Sequence, residues 1–129
     1  MIEDLCIFCE ILAERSNIIL ETRFFFVIHD KYPATRGHCL IISKTHHKDL
    51  FALDWVEWAD LFHAIQRTKH MLDEAFHPDG YNVRANCGEA AGQTIFHLHF
   101  HCIPQYADDP NSRGGIRSFS PPPLHYEKT

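Results

Sequence analysis

The sequence predicts an α+β domain: an antiparallel sheet of about five strands with one long and one short helix. Three observations carry this. Short apolar runs rich in Ile, Val and Phe, bounded by polar or Gly/Pro turns, recur along the chain. A single long stretch with helical spacing lies between the third and fourth runs. Residues 97–101 read His-Leu-His-Phe-His. On a strand that alternation sets three imidazoles on one face and Leu98, Phe100 and Cys102 on the other. A length of 129 residues and 45% apolar content suit one compact domain with a real core.

Residues 6–14 have helical spacing, with Ile7, Phe8, Ile11 and Leu12 as apolar contacts, and Ser16-Asn17 breaks the pattern. Residues 18–21 and 24–29 read as two strands of a hairpin turned at Thr22-Arg23. Residues 30–37 hold Pro33 and Gly37 and form a loop. Residues 38–43 are the third strand. Asp54 then caps the long helix, with Glu57 three residues on as a capping-box variant. Trp55, Trp58, Phe62, Ile65, Leu72 and Phe76 follow at helical spacing until His77-Pro78, where the helix must stop. Asp79-Gly80 turns the chain into a fourth strand, residues 81–86. Residues 87–92 form a loop with two glycines, and residues 94–103 are the histidine strand. The domain spans residues 1–104. Residues 105–129 lack periodicity, contain Pro121-Pro122-Pro123, and are expected as an irregular arm of the same domain.

A formal charge of −5 argues against a binder of nucleic-acid polymers, which needs a basic stripe. An anionic small molecule stays open, because imidazoles and local dipoles override net charge in a pocket. No apolar run is long enough to span a bilayer, and the acidic start Met1-Ile2-Glu3-Asp4 is unlike a signal peptide. The five cysteines are odd in number and scattered, which fits a reducing cytoplasm. A cytoplasmic protein without a membrane partner is the expectation.

Three in-register histidines admit several readings. A solvated face would place repelling, easily charged groups together without return. Alternate histidines on a strand can ligate zinc. Imidazole can also attack or donate at a phosphate. The residues just before them favour the last reading over a metal-only site. Glycines at 88 and 92 let a backbone approach phosphate closely, and Asn86, Gln93 and Thr94 supply uncharged hydrogen-bonding groups. Asp30 is either a turn-former near Pro33 or an acceptor for two ribose hydroxyls. Phe8, Ile7, Ile11 and Ile28 are either core or the walls of a base pocket. Cys6 and Cys9 face one side of the predicted helix, as a redox pair, a zinc half-site or buried thiols.

Taken together, these segments resemble the histidine triad (HIT) superfamily of nucleotide hydrolases and transferases. The signature His-x-His-x-His followed by two apolar residues stands here as His97-Leu98-His99-Phe100-His101-Cys102-Ile103. Ile7-Phe8 with Ile11 looks like the family's base-pocket helix, and His29-Asp30 like its ribose-contacting loop. The run from Arg36 to His46 looks like its strand with a fourth active-site histidine, His38. Asn86 with Gly92-Gln93-Thr94 looks like its phosphate loop. The resemblance covers residues 6–104.

The resemblance implies a HIT-like fold, with the sheet extended by pairing of two protomers through the long helix and a strand. Trp55 and Trp58 are candidates for that contact, so a homodimer is expected. It implies a purine nucleotide substrate, a phosphoramidate or a dinucleoside polyphosphate. His99 would attack the α-phosphorus to form a nucleotidyl-histidine, and water would release the nucleoside monophosphate. His101 and His38 would bind non-bridging oxygens, and Gln93 and Thr94 would orient the phosphate. Some bacterial relatives bind structural zinc through residues matching Cys6, Cys9, His46 and His97, with His47 as a competitor to His46. No metal is implied at the phosphate. A nucleotide-binding interaction module and a zinc-dependent hydrolase are the alternatives. Two departures concern the branch: Gln105 stands where polyphosphate-cleaving relatives often carry Arg, and no Trp follows the triad as in phosphoramidase relatives.

Overall fold

The computed structural model describes residues 6–110. Its elements are α1 (Ile7–Glu14), β1 (Leu20–Glu21), β2 (Phe25–His29), β3 (Cys39–Ser43), α2 (Trp55–Phe76), β4 (Gly80–Arg84) and β5 (His99–Gln105). Short 3₁₀ turns lie at Leu50–Ala52 and Glu89–Ala91. The strands form one open antiparallel sheet in the order β1-β2-β3-β5-β4, so β5 enters between β3 and β4. The predicted α+β class and five-stranded sheet are observed.

The two faces of the sheet bury different helices. Phe25, Val27, Cys39, Ile41, Leu98, Phe100 and Cys102 meet Leu61, Ala64 and Leu72 of α2. Phe26, Ile28, Leu40 and Ile42 meet Phe8 of α1 on the opposite face, with Ile11 and Ile95 at the margin. Strand alternation divides the apolar residues this way, since β2 and β3 are buried on both sides. Among the described residues no helix is long and apolar enough to cross a membrane.

Helix α2 starts as its sequence predicts. The Asp54 carboxylate accepts from the Glu57 backbone N–H at 2.8 Å, and Glu57 returns the bond to the Asp54 N–H at 3.1 Å. It ends at His77, left-handed at φ 52°, just before Pro78. Asp60, one turn in, accepts from the Thr22 hydroxyl at 2.7 Å and the Phe24 N–H at 2.8 Å. A single carboxylate thus fastens the β1–β2 turn to α2. Gly37 has φ +89°, and a Cβ there would lie 3.0 Å from the Phe76 ring. Glycine lets the loop before β3 lie against the end of α2.

The histidine strand differs from expectation. Residues 94–98 are not strand, and β5 runs on to Gln105. The earlier stretch is held by other bonds: the Leu98 N–H donates to the His47 carbonyl at 2.7 Å, and Gln93 braces the loop. At the far end, the Asp79 N–H donates to the Gln105 carbonyl at 2.8 Å, and buried Tyr106 donates its hydroxyl to the Arg36 carbonyl at 2.7 Å. The sheet therefore passes residue 104, where the irregular arm was expected to begin. Most of that arm, with the proline run and His125, lies outside the described residues.

Candidate active site and metal centre

His97, His99 and His101 all project from the α1 face. Ile42 lies opposite His99 and Leu40 opposite His101, and both belong to the cluster around Phe8. Leu98, Phe100 and Cys102 pack on the α2 side, so the alternation read from the sequence holds even though His97 precedes the strand.

Hydrogen bonds to the main chain set the tautomers of His97, His99 and His38, and His38 sets that of His101. The Ser43 carbonyl lies 2.7 Å from Nε2 of His97. A carbonyl only accepts, so Nε2 carries the proton and Nδ1 presents a lone pair. That lone pair points at Sγ of Cys6 (3.2 Å), Sγ of Cys9 (3.6 Å) and Nδ1 of His46 (3.1 Å). Cys9 Sγ is 3.2 Å from His46 Nδ1, and all four atoms lie within 4.8 Å of one another. Two sulfurs and two nitrogens gathered this closely are a donor set that a tetrahedral zinc at ~2.0–2.3 Å from each could use. Burial pushes the Cys6 thiol up. His47 does not compete with His46. Its Nε2 meets the Glu57 carboxylate at 2.7 Å, turned toward α2.

His99 is fixed in the complementary way. Nδ1 lies 2.8 Å from the His97 carbonyl and donates to it, which leaves Nε2 as a bare lone pair. Phe8 stands edge-on to this ring at 5.0 Å between centroids, and to His97 at 5.7 Å. Burial lowers the pKa of His99, so the ring is neutral near pH 7.

His38 sits on the loop entering β3. The Ala34 N–H donates to its Nδ1 at 3.0 Å, so Nε2 carries the proton. That N–H faces Nδ1 of His101 at 3.0 Å and the Asp30 carboxylate at 3.4 Å. His101 accepts at Nδ1 and therefore carries its own proton on Nε2. Burial, then the neighbouring His38 and His99, pushes His101 down to about 4. Asp30, His38 and His101 also cluster tightly enough to suggest a metal. The Ala34 N–H already occupies the one lone pair of neutral His38, so its Nε2 has none to give a cation.

The remaining candidates fall around these rings. Phe8 and Ile28 are buried core, Ile11 packs beside them, and Ile7 is exposed. His29 is exposed at the end of β2, with Cys39 Sγ 3.6 Å from its Nδ1. Asp30 accepts from the Tyr32 N–H at 2.8 Å with one carboxylate oxygen and turns the other to His38. The Asn86 amide donates to the Gly92 carbonyl at 3.3 Å, closing the glycine loop. Gln93 is buried and its amide is engaged. Oε1 accepts from the Gly88 N–H at 2.8 Å, while Nε2 donates to the carbonyls of Lys48 (2.7 Å) and Ile95 (3.0 Å). It shapes the loop, while Thr94 beside it is exposed. Sequence reasoning missed Arg84, which lies on β4 directly opposite His101. Its signal was a cation near the end of a strand leading to the glycine loop.

A family model described as "HIT domain" matches residues 13–108. The chain belongs to the HIT family. A HIT family protein from Bacillus anthracis has a crystal structure 35% identical in sequence that superposes with a TM-score of 0.77, over 84% of this chain and 77% of that one. A zinc-bound histidine triad family protein from Mycobacterium smegmatis is 38% identical, with a TM-score of 0.75 over 84% of this HIT protein and 81% of the other. An adenosine 5′-monophosphoramidase of Schizosaccharomyces pombe is 32% identical over 113 residues, 86% of this chain and 79% of the relative. The five-stranded HIT fold and a Cys/His cluster able to hold a metal are therefore features of this HIT protein.

Proposed function

We propose that this HIT protein is a nucleotidyl hydrolase acting at the α-phosphate of a purine nucleotide through a covalent nucleotidyl-histidine. One observation carries the proposal: the His97 carbonyl accepts a hydrogen bond from Nδ1–H of His99, so Nε2 is left as an uncharged lone pair. Nε2 attacks the α-phosphorus and the leaving group departs. Water then attacks the same phosphorus, releasing the nucleoside monophosphate and restoring the ring. His101 donates from Nε2 to a non-bridging oxygen, and His38 holds His101 in that tautomer. Asp30 accepts from the ribose hydroxyls. Ile7, Phe8, Ile11 and Ile28 surround the base, and the loop from Asn86 to Thr94 receives the phosphate; His29, expected in the same pocket, pairs with Cys39 on the α2 face of the sheet and takes no part. The S. pombe relative's named activity supports this reaction class.

Zinc fits Cys6, Cys9, His46 and His97 by donor type and tautomer, and its place in the scheme is structural. Bound there, it joins α1 to the loop after β3 and supplies no chemistry at the phosphate. Only His97 of the triad belongs to that set, which favours this mechanism over a zinc-dependent hydrolase. Exposed apolar side chains on α2, Trp55 at 88% and Phe62 at 65%, support a homodimer formed through that helix.

The test is His99→Ala. Hydrolysis of adenosine 5′-phosphoramidate should fall by roughly 10³-fold or more while AMP still binds. Intact-protein mass spectrometry of the parent protein should show a transient adduct of one nucleotidyl group, absent from the variant. Undiminished turnover in the variant would reject the nucleophile.

A further inference from the structure

β4 forms the sheet edge beside β5, and Arg84 lies directly across from His101. Cross-strand partners share a face, with Cβ atoms about 5 Å apart. Arg84 therefore rises on the same side as the catalytic imidazoles. Gly80, Asn82 and Arg84 share that face, opposite Gln105, Ile103 and His101. The row is polar at its middle, where the Gln105 amide donates to Asn82 Oδ1 at 2.9 Å. The Arg84 charge also lowers the pKa of His38, His99 and His101, so it lies within electrostatic reach of all three.

The order of strands gives the site a direction. Phe8 and Ile28 stand over β2, Asp30 follows the end of β2, the reacting histidines lie on β5, and Arg84 lies on β4. With the base against Phe8 and the α-phosphorus at His99, whatever is attached beyond that phosphorus extends toward β4.

We infer that Arg84 is a specificity-determining residue that binds a phosphate in the leaving group, so that the substrate class is nucleotides whose α-phosphorus is joined through oxygen to a further phosphate. The inference rests on the hydrolase reading above and narrows it. In the step concerned, the His99 Nε2 lone pair forms the N–P bond as the P–O bond to the next phosphate breaks. The electron pair leaves on that oxygen, and the guanidinium offsets the added charge through charge-assisted hydrogen bonds. Water then attacks the phosphorus, the N–P electron pair returns to the ring, and the water proton is lost to solvent. An amine leaving group offers the guanidinium no such anion. Within a chain of net charge −5, the Arg84 guanidinium supplies a local cation for a polyphosphate tail.

The experiment compares wild type, Arg84→Gln and Arg84→Lys on a diadenosine polyphosphate and on adenosine 5′-phosphoramidate, with equilibrium affinities for ADP and AMP. Arg84→Gln should lower the ratio of kcat/KM between the two substrates by about 10- to 100-fold, and Arg84→Lys should restore part of it. Wild type should bind ADP more tightly than AMP, and Arg84→Gln should erase the preference. An unchanged kcat/KM ratio with an unchanged ADP preference would overturn the assignment. Should wild type hydrolyse neither substrate, the hydrolase reading fails, while the ADP-to-AMP affinity ratio still decides the role of Arg84.

Discussion

Three imidazoles of the site take their protonation from the main chain, and the fourth takes it from one of those three. The Ser43 carbonyl sets His97, the His97 carbonyl sets His99, and the Ala34 N–H sets His38, which in turn sets His101. Side-chain spacing made the alternation and the candidate roles legible in the sequence. It could not reveal these partners: Ser43 and His38 reach His97 and His101 from far along the chain, and the local bonds to His99 and His38 depend on how the backbone bends at residues 97 and 34. Gln93 illustrates the limit: its type suited a phosphate ligand, yet burial turned its amide into a brace for the loop. Gly37 gives a prediction at this scale. Gly37→Ala must adopt φ +89° and press a methyl against Phe76. It should destabilise the fold by about 1–3 kcal/mol, seen as a lower urea midpoint with an unchanged slope.

Among the elements, α2 was the most legible, since a cap, a long apolar stripe and a terminal His-Pro lie in consecutive sequence. β5 was the least. Its start is decided by whether residues 94–98 bond to a strand or to loops, and the His47 carbonyl and the Gln93 amide settle that. α1 depends on its surroundings in a different way. It has eight residues, too few for a helix to persist alone. Its N-cap is itself Cys6, whose sulfur accepts from the Cys9 N–H at 3.4 Å. Cys9→Ser should therefore lower zinc content, measured by a chromogenic chelator on unfolded protein. It should also lower the melting temperature, with the sheet and α2 retained in far-UV dichroism. A full complement of zinc in Cys9→Ser would remove Cys9 from the ligand set.

For the whole molecule, two expectations follow. His101 is held near 4 by burial, below the ~6.5 of an exposed histidine, and His38 is lowered in the same direction. The unfolded chain thus binds more protons than the folded one between those values. Stability is complete above pH ~6.5 and is lost as pH falls toward 4, by roughly 3 kcal/mol from His101 alone. Urea unfolding at pH 7.5 and 4.5 checks the sign: equal midpoints would contradict it. Exposed Trp55 and Phe62 on α2 predict that light scattering gives twice the 15.0 kDa chain mass, and that Phe62→Glu gives the single mass. Finally, the first turn of α1 carries both thiols and, between them, the Phe8 ring that backs His99. Whatever grips the sulfurs also keeps a wall behind the proposed nucleophile. Metal supply would then govern phosphorus chemistry from a distance, through the seating of one aromatic ring.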